Sequence, residues 1–324
     1  MSAGPQLAMI EQPREHGGAV PWILDEEGHK TRGYDDGRRL AEVQAGLARH
    51  SGVQLHAADA SAAEIEHALG KLHDPDYLAA LERVSGDEPI LLPELAQPGL
   101  EPDTPVCAEA VTSAREGVGT ALTAARRILA GERFSYALCR PPGHHAGPGW
   151  LGGYCYLNNA AAAAQTLHEG GVGRVAILDL DLHYPNGTSA LVERMTTTTL
   201  HSLHGSTGAN LPWRRVRART EREHLVTFRH PPRPETYLAA LAVSVRLLAR
   251  STDAIVLSLG YDTVAGDPHG SWRFGASIFE QIGRLLAGSE LPVCVIQEGG
   301  YALGSLAPCS HAFATGLLGQ GGTA

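Results

Sequence analysis

The sequence predicts an α/β fold in which helices cover both faces of a central, mainly parallel β-sheet. Short runs such as 254–259 and 292–297 are apolar throughout rather than at alternate positions. Continuous apolar runs are typical of parallel strands, because such strands are buried on both faces. Longer segments with the apolar spacing of helices separate these runs, and this alternation indicates a wound α/β arrangement.

The individual elements follow from the same two periodicities. Helical spacing predicts helices at 36–49, 61–72, 76–85, 108–130, 157–169, 235–250, 275–288 and 305–315. Short apolar runs predict strands at 134–139, 174–179, 199–203, 254–259 and 292–297. The segment 204–234 is rich in glycine, proline and arginine, and we interpret it as a long surface loop. Because a single α/β domain of this length is common, we expect residues 1–324 to form one domain.

The composition excludes several classes of protein. Of the 324 residues, 43% are hydrophobic and 19% are charged, which is ordinary for a globular protein. A formal net charge of −9 argues against nucleic acid as a partner, because phosphate contacts need a basic surface. No apolar run reaches the ~18 residues of a membrane span, and residues 1–6 lack the pattern of a signal peptide. Five scattered cysteines without a CxxC motif predict reduced core residues and a cytoplasmic location, and the oligomeric state is left open.

Polar side chains follow the predicted strands. The segment Asp179-Leu-Asp-Leu-His183 ends a buried run, and residues two apart in an extended segment point the same way. Asp179, Asp181 and His183 therefore share one face. The other strand ends are followed by His144 and His145, by Ser202, by Asp262 and by Tyr301. Because sites in open parallel sheets form outside the carboxyl ends of the strands, we expect these groups to converge.

Asp181, His183 and Asp262 are the candidate metal ligands. Two carboxylates and an imidazole suit zinc, and three protein ligands leave a fourth position open, as catalytic zinc sites require. Binuclear ureohydrolases need another carboxylate two residues after the histidine, where this chain has Pro185. One metal is therefore favoured. Taken alone, Asp262 also fits a helix N-cap.

His144, His145 and Tyr301 are the candidate catalytic groups. Metal-assisted hydrolysis needs a base for water and an acid for the leaving group, and two adjacent imidazoles supply both. The preceding Arg140-Pro-Pro-Gly143 segment favours a rigid loop. A tyrosine hydroxyl facing the reacting carbonyl stabilises the developing oxyanion. Each feature alone has a plainer alternative, namely a surface turn for the histidine pair and a surface packing role for the tyrosine.

These residues lie in motifs that resemble the zinc-dependent histone deacetylase and acetylpolyamine amidohydrolase superfamily. The resemblance covers about 72–306. Its strongest motifs are Arg140-Pro-Pro-Gly-His-His-Ala146, Gly153-Tyr-Cys-Tyr-Leu-Asn-Asn159, Asp179-Leu-Asp-Leu-His183, Tyr261-Asp-Thr263 and Glu298-Gly-Gly-Tyr301. The resemblance implies an arginase-like or deacetylase-like fold and zinc-dependent hydrolysis of an N-acetyl amide to acetate and a free amine.

The resemblance also implies a role for each matched residue. Asp181, His183 and Asp262 match the zinc ligands, and Tyr301 matches the oxyanion-stabilising phenol. His145 matches the proton shuttle and His144 its electrostatic partner. The carboxylate behind His144 is Asp179 and the partner of His145 is Asn186. Because a carboxylate raises the pKa of a partner imidazole more than an amide does, we expect the two histidines to differ in protonation.

Further matches concern the channel and a second cation. The residues matched to the acyl channel and its rim are Asp103, Gly153, Tyr154, Leu211 and His269, with Leu211 placed by spacing alone. A structural potassium ion is implied behind the zinc. Its matched ligands are the carbonyls of Asp179, Asp181, His183 and Leu203 and the hydroxyl of Ser202.

Three features depart from the family pattern. Tyr184-Pro185 stands where His-Gly usually follows the zinc histidine. The segment 205–213 has no clear match to the family's second channel aromatic, and His269 occupies a rim position that is usually apolar. An arginine run follows the segment 205–213 and is formed by Arg214, Arg215, Arg217, Arg219 and Arg222.

The substrate is the least determined feature. The arginine run is either a solvated face or a site for an anionic group, and it would repel a polyamine. Acetyl-lysine, an acetylpolyamine and a small N-acetylated metabolite all remain open, and the unusual segment 204–222 favours a small molecule. A non-catalytic acyl-lysine binding module is the alternative from another class. Such a protein would be expected to lack a metal ligand or Tyr301, and this chain has them all.

Overall fold

The structure is a computed structural model, and it describes residues 4–13, 22–24, 29–207, 210–212 and 220–320. The strands are β1 (Leu7–Glu11), β2 (Trp22–Leu24), β3 (Lys30–Arg32), β4 (Val53–Ala57), β5 (Phe134–Leu138), β6 (Val175–Asp179), β7 (Thr198–Gly205), β8 (Glu223–Phe228), β9 (Ala254–Leu259) and β10 (Val293–Gln297). The α-helices are α1 (Arg38–Leu47), α2 (Ala62–Leu72), α3 (Pro75–Glu82), α4 (Ala108–Leu129), α5 (Asn159–Glu169), α6 (Asn186–Val192), α7 (Pro234–Ser251), α8 (Ala276–Ala287) and α9 (Leu303–Leu318). A short 3₁₀ helix spans Pro93–Leu95.

Eight strands form one parallel sheet in the order β4-β1-β5-β10-β9-β6-β7-β8. Every residue of the central strands β5, β10, β9 and β6 is buried, as their continuous apolar sequences predict. One face packs against α4 and α5, and the other packs against α1, α7, α8 and α9. The predicted α/β class, with helices on both faces of a parallel sheet, is confirmed.

Local sequence signals explain where several helices begin. At the start of α2, Ser61 Oγ accepts from the backbone N–H of Glu64 at 3.3 Å, and the Glu64 carboxylate accepts from the N–H of Ser61 at 2.7 Å. Asn158 caps α5 by accepting from the N–H of Ala161 at 2.9 Å. These caps fix where α2 and α5 begin. The predicted helices and strands all occur, with ends that differ by a few residues.

The prediction of a loop over 204–234 is partly wrong. Strand β7 continues to Gly205, and β8 pairs with it in parallel at the edge of the sheet. An edge strand is paired on one side only, so the half-exposed sequence of β8 carries no continuous apolar run. The predictions also omitted β1, β4, α6 and the antiparallel β2–β3 pair, because short elements have too few residues to show a periodicity.

Two further expectations concern the cysteines and the membrane. All five cysteines lie in the described part of the chain, where each is buried and free, as predicted. Among the described residues, no helix combines the length and the apolar character needed to cross a membrane.

The register of the central strands determines where the site forms. Asp179 at the end of β6 pairs with Ser258 of β9 on one side and with Ser202 of β7 on the other. Gln297 at the end of β10 pairs with Leu259. The loops that follow β5, β6, β9 and β10 therefore leave the same edge of the sheet side by side.

Candidate active site

A cavity of about 350 Å³ opens at this edge of the sheet. It is lined by Ile23, Leu24, Asp103, Pro142, His144, His145, Gly153, Tyr154, Asp181, His183, Asn210, Leu211, Pro268, His269, Gly270, Ser271, Gly299 and Tyr301. Three of the sequence-predicted residues, Asp179, Asn186 and Asp262, do not line it. They lie behind the wall and contact the lining histidines. The structure thus brings all the predicted catalytic, channel and metal-ligating positions to one place.

Asp181, His183 and Asp262 form a compact cluster at the base of the cavity. One ligand atom from each lies within 4.8 Å of the others. His183 Nδ1 is 3.1 Å from Asp181 Oδ1 and 2.9 Å from Asp262 Oδ2. Asp262 Oδ2 is buried and has no hydrogen-bond partner of acceptable geometry. Burial and the adjacent charge of Asp181 also raise the pKa of Asp262, so its charged form is disfavoured unless a cation lies beside it.

The backbone holds the two carboxylates in place. The N–H of Gly299 donates to Asp181 Oδ2 at 3.0 Å, and the N–H of Leu182 donates to Asp262 Oδ1 at 3.1 Å. A Cβ atom at position 299 would lie 2.7 Å from Asp181 Oδ2 and 3.2 Å from Asp262 Oδ2. Only glycine at this position allows the close approach. The donor set and the close spacing of its buried ligand atoms together fit a bound metal ion.

The histidine pair lies above the metal-ligating cluster, and its two members have different partners. His144 Nδ1 is 3.1 Å from Asp179 Oδ2, whereas His145 Nδ1 faces Asn186 Oδ1. The ring centroids of the two histidines are 4.1 Å apart.

The surroundings shift the two histidine pKa values in opposite directions. Burial lowers the pKa of His144, but the charges of Asp181 and Asp179 outweigh it and raise that pKa to about 10. Burial, with the charges of His144 and His183, holds the pKa of His145 well below its usual range. At neutral pH His144 is therefore cationic and His145 neutral, which agrees with the difference expected from the sequence.

A buried glutamate holds the loop that carries the histidines. Glu298 Oε2 accepts from the N–H of Gly143 at 2.7 Å and from the N–H of His144 at 3.2 Å. Burial raises the pKa of Glu298 to about 7. The sequence identified Glu298 as part of a motif but gave it no role, because its two partners lie 154 and 155 residues away.

Tyr301 lies at the side of the cavity, over a buried arginine. The guanidinium carbon of Arg39 is 4.5 Å from the centroid of the Tyr301 ring. Arg39 donates to the carbonyl of Gly300 at 2.7 Å and also forms an ion pair with Asp35. Burial raises the pKa of Tyr301 well above its usual range, so the phenol stays protonated and is available as a donor. Arg39 was not predicted as a site residue. It lies in an amphipathic helix, and nothing in the sequence indicates its contact with Gly300, 261 residues away.

Tyr154 and His269 form a wall of the cavity beside Tyr301. Tyr154 has a left-handed backbone with φ of 67°, and its ring centroid lies 5.4 Å from that of Tyr301. The N–H of Tyr34 donates to the Tyr154 hydroxyl at 3.1 Å, and this hydroxyl lies 3.0 Å from His269 Nε2. Burial lowers the pKa of His269 to about 4. The hydroxyl is therefore hydrogen-bonded to a neutral imidazole.

The cavity is narrow at Gly153, which lies beside the ring of His145. A Cβ atom there would lie 2.7 Å from Leu211 Cδ2, and the φ of 57° also favours glycine. The Asp103 carboxylate accepts from the N–H of Gly153 at 3.1 and 3.0 Å. Ile23 and Leu24 of β2 were not predicted as lining residues. A strand of three apolar residues is too short for its sequence to indicate where it packs.

The structure describes the residues of the predicted potassium site, but it describes only one residue of the arginine run. Ser202 and Asp179 are paired on neighbouring strands, and the Ser202 hydroxyl lies 2.8 Å from His204 Nδ1. Arg214, Arg215, Arg217 and Arg219 lie outside the described residues. Arg222 is described and donates to the carbonyl of Met195 at 2.6 Å. Both residues lie just before β8 and β7 begin, at the end of the sheet opposite to the cavity.

Comparison with known proteins places this geometry in context. Residues 35–317 match the histone deacetylase domain. Acetylpolyamine amidohydrolase 1 of Pseudomonas aeruginosa is 36% identical over 232 residues, which cover 68% of this chain and 67% of that protein. The acetylpolyamine amidohydrolase of Mycoplana ramosa is 36% identical over 59% of this chain and 58% of its own length. The crystal structure of an acetylpolyamine aminohydrolase from Burkholderia pseudomallei superposes with a TM-score of 0.81 at 27% identity, covering 96% of this chain and 98% of the other.

Proposed function

The chain belongs to the histone deacetylase family, and on that premise we propose that it hydrolyses an N-acetyl amide to acetate and a free amine. The observation that carries the proposal is the arrangement around one cavity of a carboxylate–imidazole–carboxylate cluster, a histidine pair of unequal protonation and a protonated tyrosine. This set supplies a metal site, a base, an acid and an oxyanion donor.

Asp181, His183 and Asp262 would hold one Zn²⁺ ion, since two carboxylates, an imidazole and an open fourth position suit a catalytic zinc. When bound, the zinc polarises the substrate carbonyl and lowers the pKa of water. A potassium ion behind it, held by the carbonyls after β6 and by Ser202, is a second proposed cofactor of structural role.

The protein side chains carry the protons. His145 is neutral and accepts a proton from the attacking water, and Asn186 orients its ring. His144, kept cationic by Asp181 and Asp179, places a positive charge beside the developing anion. Tyr301 donates to the carbonyl oxygen as charge develops there. His145 then delivers its proton to the leaving amine, which completes the hydrolysis.

The cavity favours a slender substrate. Tyr154 and Leu211 narrow its mouth, and Asp103 places a carboxylate at the rim. Several relatives are named acetylpolyamine amidohydrolases, so an acetylpolyamine is the first substrate to test. We propose a small N-acetylated amine as the substrate, with acetyl-lysine in a protein as the second candidate because other relatives are named histone deacetylases.

A substrate panel tests the proposal. Acetate release is measured for the zinc-loaded protein with an acetylpolyamine, an acetyl-lysine peptide and an anionic N-acetyl compound, with His145→Ala as the inactive control. We expect the small amines to give the highest kcat/KM. Turnover of the peptide alone would contradict the small-molecule assignment. Peptide binding without acetate from any compound would replace the enzyme by an acyl-lysine binding module.

A further inference from the structure

The side chain of Asn186 makes two hydrogen bonds of opposite polarity. Its Oδ1 faces His145 Nδ1, and its Nδ2 donates to Gln97 Oε1 at 2.7 Å. Asn186 is 5% exposed at the start of α6, and Gln97 lies just after the 3₁₀ helix Pro93–Leu95. Gln97, which is 89 residues away from Asn186 in the sequence, is therefore in contact with the hydrogen-bond partner of His145.

The orientation of the Asn186 amide decides which nitrogen of His145 carries the proton. With Oδ1 toward the ring, His145 Nδ1 must be protonated, and Nε2 keeps its lone pair. With the amide reversed, an NH₂ group would face Nδ1 and the proton would move to Nε2. A base needs the first tautomer. The shape of the Asn186 amide is nearly the same in both orientations, so packing alone does not select one of them. The hydrogen bond to its second partner, Gln97, does.

The loop presents Gln97 at a fixed place. The backbone of Leu95 accepts from the N–H of Leu151 at 2.9 Å, and the carbonyl of Gln97 accepts from the N–H of Leu100 at 2.9 Å. Further along, the Asp103 carboxylate is bonded to the N–H of Gly153. Both sides of Gln97 are thus fastened to the body of the protein, which places its side-chain amide next to that of Asn186.

We propose that Gln97 is a positioning residue: by accepting from Asn186 Nδ2 it holds Asn186 Oδ1 toward His145 and so keeps the proton of neutral His145 on Nδ1. The inference rests on the proposed function only in giving His145 the role of base. Gln97 itself touches neither the cavity nor the proposed metal ligands.

Three substitutions separate this role from simple packing. Gln97→Glu offers only acceptors and should preserve the tautomer. Gln97→Met keeps a similar length but has no comparable acceptor, and Gln97→Lys offers only donors and should reverse the Asn186 amide. We expect kcat to fall about tenfold for Gln97→Met and further for Gln97→Lys, with KM unchanged and Gln97→Glu close to the parent protein.

The direct readout is the tautomer of His145 by long-range ¹H–¹⁵N NMR of the zinc-loaded, ¹⁵N-histidine-labelled protein, with the His145 signals identified from His145→Ala. The proposal predicts the Nδ1–H form in the parent and in Gln97→Glu, and a loss of that form in Gln97→Met and Gln97→Lys. An unchanged tautomer in Gln97→Met and Gln97→Lys would overturn it, as would a Gln97→Glu variant that behaves like Gln97→Met. A tautomer shift in a protein that releases no acetate would uphold the positioning role and reject the proposed function instead.

Discussion

The hydroxyl of Tyr154 lies 3.0 Å from Nε2 of His269, and this contact joins a wall of the cavity to its rim. The backbone N–H of Tyr34 donates to the same hydroxyl at 3.1 Å. The ring centroid of His269 is in turn 5.0 Å from that of Tyr301. The imidazole of His269 is neutral, because burial lowers its pKa to about 4, and it is hydrogen-bonded to the neighbouring wall residue.

Replacing His269 should loosen this wall. We expect His269→Leu to raise KM for the best substrate about fivefold, which corresponds to the loss of one hydrogen bond of about 1 kcal/mol, with little change in kcat. Tyr154→Phe removes the same bond from the other side and should give a similar rise. The double variant should then be no worse than either single variant. Effects on KM that simply multiply would show that the two residues act independently.

Removing the phenol of Tyr301 should affect the chemical step. We expect Tyr301→Phe to lower kcat about 10²–10³-fold, because an oxyanion donor acts mainly in the transition state. KM and the zinc content should stay close to those of the parent protein. Tyr154→Phe is the matched control, since it removes a nearby hydroxyl whose hydrogen bonds are made within the protein. A kcat for Tyr301→Phe within a few-fold of the parent value would exclude the proposed role.

Zinc binding distinguishes the two kinds of aspartate. We expect Asp262→Asn to lower zinc affinity more than about 100-fold, because it removes a proposed ligand. Asp179→Asn should leave zinc bound but lower kcat, because the carboxylate of Asp179 contacts His144. The measurement is zinc content after dialysis against a competing chelator. Equal zinc loss in the two variants would mean that Asp179 is a ligand as well.

The stability of the protein should depend on the protonation of His73. Its Nδ1 donates to the carbonyl of Gly147 at 2.8 Å and its Nε2 accepts from the N–H of Asn158 at 3.2 Å, so the folded protein needs the neutral ring. Burial lowers the pKa of His73 from 6.5 to about 4. Between pH 6.5 and pH 4 the unfolded chain binds a proton that the folded protein does not, so stability falls as the pH falls through this window.

The effect of His73 is large enough to measure. We expect it to lower the free energy of unfolding by about 2 kcal/mol between pH 7 and pH 5, at roughly 1.4 kcal/mol per pH unit below 6.5. His73→Gln retains a donor and an acceptor but does not titrate, so its urea unfolding should depend less steeply on pH. The same slope in the variant and the parent would contradict the assignment.

The placement of residues close together in the sequence was predicted in part. The sequence predicted that Asp179, Asp181 and His183 share one face of an extended segment, but β6 ends at Asp179 and the chain bends at 181–183. Asp181 and His183 therefore line the cavity, whereas Asp179 lies behind its wall and contacts His144. The meeting of His144 and Asp262 with this segment followed from the rule that parallel strands end at one edge. This second inference depends on fold class, which the sequence carries.

Partners distant in the sequence were not predicted. Gln97, Arg39 and Tyr34 contact site residues 89 or more positions away, and none lies in a motif or follows a strand that the sequence predicted. Such contacts depend on how loops fold over the sheet edge, and a single sequence shows no periodicity there. The edge strand β8 escaped prediction for a related reason, since it is half exposed and lies in a segment rich in polar residues.

Acetate release during zinc reconstitution tests the central claim most directly. The metal-free protein is titrated with Zn²⁺ while acetate is measured from the best substrate of the panel, with His145→Ala titrated in parallel. We expect no acetate release without metal and full activity at one zinc per chain. At the same zinc content, the rate of acetate release by His145→Ala should be several orders of magnitude lower. Acetate release by the metal-free protein, or a His145→Ala variant as active as the parent, would contradict this claim.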